Sequence, residues 1–226
     1  MQVDEDTRIN VKLKTGQETE VNAQGPNVTD AQFQSLLNQI RETTDNDTVI
    51  VAGSVPKSIP SDAYAQIAKI TRQTGAQLVV DAEKDLVETV LEYQPLFIKP
   101  NKDELEVMFN TSVKNDEDVI KYAKQILEKG AQSVIVSLGG DGAIYVDHQQ
   151  SIKAVNPKGE VINTVGSGDS TVAGMVAGLA TGLSVQDAFK QAVASGTATA
   201  FDADLATKEA IENIKSQVTI SVLDGE

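Results

Sequence analysis

The chain has no cysteine and only one histidine, His148, among its 226 residues. Without thiols it has no disulfide, no thiolate nucleophile and no cysteine-based zinc site, and a single histidine excludes multi-histidine metal sites. A serine–histidine–aspartate triad would have to use His148. That residue lies in a polar stretch at 147–150, which predicts an exposed turn.

Basic residues are also scarce. Nineteen Lys and Arg against 33 Asp and Glu give a net charge of −14. This balance repels phosphate backbones and anionic lipids, which argues against nucleic-acid and membrane-surface partners. No apolar run approaches the roughly 20 residues of a membrane span, and no basic-then-apolar leader opens the sequence. We therefore expect a soluble, cytoplasmic protein.

What the sequence does contain is an alternation of strand and helix patterns. Polar and apolar side chains alternate at 8–13 and 18–21 around Thr15-Gly16, which predicts a half-exposed hairpin. Short apolar runs follow at 49–52, 78–80, 96–98 and 134–136, with helices predicted from an N-cap at Asp30 and at 62–73, 85–91 and 118–129. Buried strands separated by helices predict an α/β fold with a mostly parallel, doubly wound sheet. Residues 1–25 are expected to form a lid hairpin on a single core at 26–226.

The stretch 163–174 joins a Gly-Ser-Gly turn to a helical pattern. The N–H groups of Gly166, Ser167 and Gly168 are able to approach an anion, and a helix N-terminus adds partial positive charge. Asp169 beside that anion would be able to accept a hydroxyl proton. An equally weighted alternative makes Asp169 a helix-start residue, followed by small residues that pack against the sheet (173, 174, 177 and 178).

Two familiar nucleotide motifs are missing. The sequence has no G-x-x-x-x-G-K-[ST], which argues against a Walker-type ATPase. Thr171 stands where the third glycine of G-x-G-x-x-G belongs, so a dinucleotide oxidoreductase is poorly supported.

Three other turns follow predicted strands. The first, at 99–104, has Asn101 and Glu104 three residues apart at a helix start. These two side chains would be able to hold a hydrated Mg²⁺ or to form a capping box, and their spacing leaves both alternatives open. The glycine-rich turn at 137–142 is, taken alone, better explained as a hairpin turn. The third is at 53–56. All four turns are expected after parallel strands, at the sheet edge where sites of α/β proteins gather.

Together these motifs resemble the ribokinase-type carbohydrate kinases of the PfkB family, over essentially the whole chain from Arg8. Residues 164–170 are similar to the family signature that carries the catalytic base. Residues 99–101 with Glu104 match the motif that organises metal and phosphate, and 137–142 resembles the turn that contacts ATP. The resemblance implies a ribokinase-like sheet with a small β lid.

The resemblance also implies a role for each matching residue. Asp169 would be the catalytic base, and the amides of Gly166, Ser167 and Gly168 would stabilise the transferring phosphoryl group. Arg8 and Ser54 would bind the phosphate of a phosphosugar substrate, and Asn101 and Glu104 would hold Mg²⁺. ATP would contact Lys99, Ser137, Gly139, Gly140, Asp141 and Gly142.

Within the family, the sequence is most similar to members that phosphorylate fructose 1-phosphate at its 6-hydroxyl to give fructose 1,6-bisphosphate. Tagatose 6-phosphate is the alternative substrate. An inactive nucleotide-binding fragment and an unrelated hydrolase with a carboxylate pair are the alternatives from other classes. A homodimer through clasped lids is possible by the same resemblance.

One departure from the family concerns the start of the sequence. The family's opening strand, with an Asp that holds sugar hydroxyls, has no match here, and neither has its Gly-Gly-x-x-x-Asn turn. We therefore expect a truncated chain with an intact nucleotide half and a compromised sugar half.

Overall fold

The computed structural model describes residues 3–15 and 17–223, and side chains at 12–20 are outside that description. Strands β1 (Asn10–Thr15) and β2 (Gln17–Asn22) pair antiparallel, with Asn10 opposite Asn22, and form a two-stranded sheet of their own. The predicted hairpin is confirmed. Its turn residue Gly16 and the first two residues of the predicted lid segment lie outside the described residues.

The second sheet has seven strands, which lie side by side in the order of the sequence. The first four are parallel, and each of the last three is antiparallel to its neighbours. The sixth strand of this sheet therefore points the same way as its first four strands, so five of the seven strands share one direction. The strands are β3 (Thr48–Ala52), β4 (Gln77–Asp81), β5 (Phe97–Ile98), β6 (Ser133–Ser137), β7 (Ala143–Asp147), β8 (Ser151–Val155) and β9 (Thr219–Val222).

Helices cover both faces of this sheet, which confirms the predicted α/β class. Because successive strands are neighbours and crossovers are right-handed, the helices within the parallel half lie on one face. Val80 belongs to the core on that face, while the adjacent Val79 belongs to a second core under the C-terminal helices. The first face has α1 (Asp30–Arg41), α2 (Ala63–Thr74), α3 (Lys84–Glu88), α4 (Lys102–Phe109) and α5 (Asp116–Glu128), and the second has α6 (Ser167–Ala180), α7 (Val185–Ala200) and α8 (Lys208–Gln217).

The start of α1 and the end of α3 differ from the prediction, and the bounds of α2 and α5 are shifted by one or two residues. The N-cap of α1 is Thr29, not Asp30, because the Thr29 hydroxyl accepts the N–H of Gln32 while the Gln32 side chain accepts the N–H of Thr29. Helix α3 ends at Glu88, and a 3₁₀ turn at Leu91–Tyr93 follows. The β-branched residues after Glu88, Thr89 and Val90, have low helix propensity, which is consistent with this early end. Within the described residues, no helix has the length and apolar character needed to cross a membrane.

Candidate active site

The predicted turns meet at one edge of the seven-stranded sheet. Gly53 follows β3, Lys99 follows β5 and the turn at 138–142 follows β6, all at carboxyl ends of parallel strands. The prediction that 163–169 also follows a parallel strand is wrong, because β8 has antiparallel neighbours on both sides and the loop 156–165 intervenes. Since β8 nevertheless points in the common direction, that loop starts from the same edge.

Helix α6 begins at the Gly-Ser-Gly turn, as predicted. Gly166 is the N-cap with a φ of 79°, a backbone conformation that favours glycine. The N–H of Ser167 donates to the Thr164 carbonyl at 3.2 Å. The N–H groups of Gly166, Gly168 and Asp169 have no acceptor within the part of the chain that the structure describes. They are the amides of this turn that remain able to bind an anion.

Asp169 is exposed in the first turn of α6 and makes no capping hydrogen bond. The alternative is therefore right that Asp169 is a helix-start residue, but wrong that the small residues after it pack against the sheet. Ala173 and Ala177 are exposed, whereas Gly174 and Gly178 face α7, where a Cβ at Gly178 would lie 2.8 Å from Cα of Ala188. The glycines therefore permit close contact between two helices, and Asp169 is left at the open end of α6.

Lys99 forms an ion pair that the sequence analysis did not identify. Its Nζ lies 3.2 Å from Oδ2 of Asp81, at the carboxyl end of β4, and the side chains are 7% and 17% exposed. The same Nζ lies 3.4 Å from where a Cβ would stand on Gly168, so this ammonium adjoins the start of α6. Burial raises the pKa of Asp81, Lys99 offsets part of that rise, and the charge of Asp169 adds to it. The structure thus brings Lys99, Asp81 and the α6 N-terminus together.

Asn101 and Glu104 form the capping box that the spacing allowed. Asn101 Oδ1 accepts the N–H of Glu104 at 2.8 Å, and Glu104 Oε2 accepts the N–H of Asn101 at 2.8 Å. Burial raises the pKa of Glu104, which the Asn101 N–H and Lys99 lower in part and the charges of Asp81 and Glu83 raise further. Within the described ranges, no group of three or more acidic or histidine side chains is arranged around a metal position. The capping alternative is confirmed, and the metal role stays a prediction.

The turn after β6 is a short 3₁₀ segment, Gly139–Asp141, that leads into the antiparallel strand β7, so the hairpin alternative is confirmed. Gly139 and Gly140 are exposed, and a Cβ at either position would meet no atom within 4 Å. Gly142 is buried, with a φ of 95°. The turn thus has its exposed backbone at the site edge, next to open space.

The turn after β3 lies near both Arg8, which precedes β1, and Asp81. Arg8 donates to the hydroxyl of Ser54 at 2.7 Å, and the N–H of Gly53 donates to the Asp81 carbonyl at 2.9 Å. The Tyr64 hydroxyl donates to the Gly53 carbonyl at 2.9 Å, and burial together with the charge of Asp81 raises the pKa of Tyr64 to about 12. Hydrogen bonds therefore connect Arg8, through this turn, to the ion pair beside α6. His148 is exposed between β7 and β8, as expected, and takes no part.

Comparisons with known proteins agree with this architecture. A 1-phosphofructokinase of Bacillus subtilis is 42% identical over 218 residues, which are 96% of this chain and 72% of that protein. A D-tagatose-1-phosphate kinase of Bacillus licheniformis is 33% identical over the same shares of the two chains.

Solved structures show the same similarity. A Staphylococcus aureus protein with a provisional phosphofructokinase name superposes with a TM-score of 0.90 at 77% identity, over 99% of this chain and 73% of that one. Phosphofructokinase-2 of Escherichia coli, in complex with substrates and products, gives a TM-score of 0.85 at 27% identity, over 93% and 70% of the two chains. The model of the pfkB family carbohydrate kinases matches residues 1–210. The chain therefore belongs to the pfkB family of carbohydrate kinases.

Proposed function

We propose that this chain transfers the γ-phosphoryl group of ATP to the 6-hydroxyl of fructose 1-phosphate, giving ADP and fructose 1,6-bisphosphate. The observation that carries the proposal is the position of the Lys99 ammonium next to Gly168 at the start of α6, beside the exposed Asp169. Relatives from Bacillus subtilis and Borreliella burgdorferi, at 42% and 35% identity, are both named 1-phosphofructokinase.

In the proposed reaction, the 6-oxygen of the sugar attacks the γ-phosphorus while the bond to the β-phosphate oxygen breaks. Asp169 takes the hydroxyl proton, late in a loose transition state, and later releases it to water. Negative charge on the transferring group meets N–H groups at the start of α6. Because the Ser167 N–H already donates to Thr164, we assign this role to Gly166, Gly168 and Asp169 rather than to Ser167.

Nucleotide binding is assigned to Lys99 and to the open turn after β6. The ammonium of Lys99 stands where it would contact a terminal phosphate above Gly168. The exposed backbone of the turn offers N–H groups without steric hindrance, because glycine occupies two of its positions. We assign contacts with the nucleotide to Ser137, Gly139, Gly140, Asp141 and Gly142.

Mg²⁺ fits this site as an ion that keeps most of its water. Burial raises the pKa of Glu104, Lys99 lowers it in part, and the charges of Asp81 and Glu83 raise it further, so an additional cation would stabilise the carboxylate. Asn101 orients Glu104 through the capping box. A bound Mg²⁺ would neutralise charge on the β- and γ-phosphates, and Mg²⁺ commonly uses one or two carboxylates and phosphate oxygens in such sites.

The phosphate of the sugar is assigned to Arg8 and Ser54. Their 2.7 Å hydrogen bond shows that a guanidinium and a hydroxyl approach one point, so a single phosphate is able to contact both. Arg8 belongs to the proposed lid, residues 1–25, and Ser54 to the proposed core, residues 26–226. Binding of the sugar phosphate would therefore hold the two parts together.

A second candidate substrate class comes from two tagatose relatives. One is the D-tagatose-1-phosphate kinase, and the other is a tagatose-6-phosphate kinase of Staphylococcus epidermidis, 37% identical over 198 residues with 84% of this chain and 63% of that protein covered. Both substrates are ketohexose phosphates with one free terminal hydroxyl. The higher identity of the Bacillus subtilis relative favours fructose 1-phosphate.

A homodimer through the lid is part of the proposal. The described side chains of the lid include three exposed apolar ones, Ile9, Val11 and Val21, and Val11 stands opposite Val21 in the hairpin. Contact with a second copy would remove this apolar surface from water. Light scattering across a tenfold range of concentration measures the mass, and Val21→Lys is expected to shift it to that of a monomer.

The experiment that tests the function is ADP release from Mg-ATP by the purified chain. Fructose 1-phosphate, D-tagatose 1-phosphate and tagatose 6-phosphate are offered separately. Asp169→Asn is expected to lower turnover by about 10²- to 10⁴-fold with ATP binding nearly unchanged, because only the proton acceptor is lost. The matched control is Asp187→Asn, which changes an acidic residue in the first turn of α7 instead and should leave turnover intact.

Each outcome decides between the alternatives. Turnover with fructose 1-phosphate that is lost in Asp169→Asn supports the proposal. Faster turnover with a tagatose phosphate identifies that sugar as the substrate instead. ATP binding without turnover on any sugar supports an inactive nucleotide-binding module. Normal turnover by Asp169→Asn removes the assignment of the base.

A further inference from the structure

Asn156 lies at the carboxyl end of β8, between the glycine turn after β6 and helix α7. Its Nδ2 donates to the carbonyl oxygen of Gly139 at 3.0 Å. Its Oδ1 lies 2.8 Å from the hydroxyl oxygen of Thr197 on α7. One amide side chain therefore joins two elements that are 17 and 41 residues away in the sequence.

The chemistry of the partners determines how this amide is oriented. A carbonyl oxygen only accepts hydrogen bonds, so the nitrogen of Asn156 has to face Gly139. The oxygen of Asn156 then faces Thr197, which is buried and whose hydroxyl also lies 2.8 Å from the carbonyl of Val193. Helix α7 thus holds one side of the amide, and the amide holds the turn.

Backbone hydrogen bonds within the glycine turn are complemented by one contact from outside it. Inside it, Leu138 donates to the Gly142 carbonyl at 2.9 Å, Asp141 donates to the Leu138 carbonyl at 3.3 Å and Gly142 donates to the Gly139 carbonyl at 3.2 Å. In the described part of the chain, Asn156 makes the one side-chain hydrogen bond to residues 138–142. Asn156 therefore adds a second hydrogen bond to the Gly139 carbonyl, which the Gly142 N–H also holds.

Peptide geometry carries this constraint to a neighbouring donor. The carbonyl of Gly139 and the N–H of Gly140 belong to one planar trans peptide, so they point in opposite directions. By holding the carbonyl, Asn156 directs the Gly140 N–H to the other side of the peptide. That N–H has no acceptor among the described residues, and Gly140 is one of the residues assigned to the nucleotide.

We propose that Asn156 is a positioning residue for nucleotide binding, which holds the Gly139–Gly140 peptide so that the Gly140 N–H faces a bound nucleoside triphosphate. This inference rests on the proposed kinase function. Asn156 itself need not touch the nucleotide. Thr197 contributes only by keeping the amide of Asn156 in its orientation.

The test is the dissociation constant for Mg-ATP, measured by calorimetry without any sugar. Asn156→Asp keeps the shape but places a carboxylate oxygen against the Gly139 carbonyl, and we expect binding to weaken about tenfold. Thr197→Val should weaken it about threefold and Thr197→Ser hardly at all, because serine keeps the hydroxyl. The double variant Asn156→Asp/Thr197→Val should bind no more weakly than Asn156→Asp alone, since both act through one peptide.

Turnover separates positioning from general stability. With saturating ATP, Asn156→Asp should keep kcat and the KM for the sugar phosphate within about twofold while the KM for ATP rises. The matched control is Gln191→Leu, which removes a side-chain amide on α7 that donates to the Gly174 carbonyl at 3.2 Å. It should leave ATP binding unchanged.

The outcomes distinguish this inference from the function on which it rests. Equal ATP binding by wild type and Asn156→Asp overturns the inference alone, and so does equal weakening by Gln191→Leu. Weakened binding by Asn156→Asp, in a protein that transfers no phosphoryl group to any sugar, supports the inference and overturns the kinase proposal. Wild-type protein that binds no ATP overturns both.

Discussion

The ion pair of Lys99 and Asp81 is buried, and replacing Asp81 by asparagine is predicted to destabilise the protein. At 3.2 Å, two unit charges attract by about 5 kcal/mol with an effective dielectric constant of 20. Asparagine removes this attraction and leaves the Lys99 charge in a site that is 7% exposed. Burial raises the pKa of Asp81, so the substitution also relieves a cost of burying the carboxylate. The net loss is therefore smaller, about 2 to 3 kcal/mol.

Urea unfolding at pH 7 measures this loss, which would lower the melting temperature by roughly 5 to 10 °C. The matched control is Asp116→Asn, because Asp116 pairs with Lys153 at 2.6 Å but the two side chains are 37% and 24% exposed. Exposed pairs contribute less than about 1 kcal/mol. The double variant Asp81→Asn/Lys99→Met should recover stability, since no charge is left unpaired. Equal losses from the two single variants, or no recovery in the double variant, would refute the reasoning.

Two further predictions concern a turn and a titration. Gly142→Ala should cost about 3 kcal/mol in urea unfolding, because φ is 95° and the new Cβ would overlap the carbonyl oxygen of Ala154. Gly140→Ala should change the free energy of unfolding by less than about 0.5 kcal/mol, because the new Cβ would have no atom within 4 Å. Similar losses from Gly142→Ala and Gly140→Ala would contradict the argument. Because the pKa of Glu104 is raised, its charge opposes folding above that pKa, so Glu104→Gln should be more stable than wild type at pH 7, with the advantage disappearing below pH 4.5. A constant difference in melting temperature across that range would show that the charge of Glu104 is not responsible.

The sequence alone predicted the elements whose signal is local. The hairpin, the parallel half of the sheet and the glycine turn before α6 depend on periodicity and on residues a few positions apart, and the structure has them all. The capping box was one of two open alternatives, because the same spacing satisfies a helix start and a metal site. Backbone partners decide between such alternatives, and they become visible only in three dimensions.

Asp81 and Asn156 were missed for different reasons. Asp81 directly follows the apolar run 78–80, and polar residues at the carboxyl ends of predicted strands are the signal that points to the other turns, so the same signal points to Asp81. Asn156 could not be found in this way, because its partners Gly139 and Thr197 are distant in sequence. Its role depends on the direction of β8, which follows from strand pairings that no local pattern reveals.

The prediction that helices cover both faces of the sheet is correct, but part of its reason is wrong. Helices on both sides were expected from crossovers between strands, whereas the crossovers all lie on one side. The second side is covered by the contiguous group α6, α7 and α8, which follows β8. A strictly sequential strand order produces this segregation, and periodicity does not report strand order.

That segregation has a consequence for how the protein is made. Val79 and Phe97 are fully buried, but the core that covers them is completed by helices from the last part of the chain. During synthesis, the strands that carry these side chains leave the ribosome well before α6, α7 and α8. A broad apolar face of the nascent sheet therefore stays open to water until these three helices have also been synthesised, and such transiently exposed apolar surface is prone to aggregation.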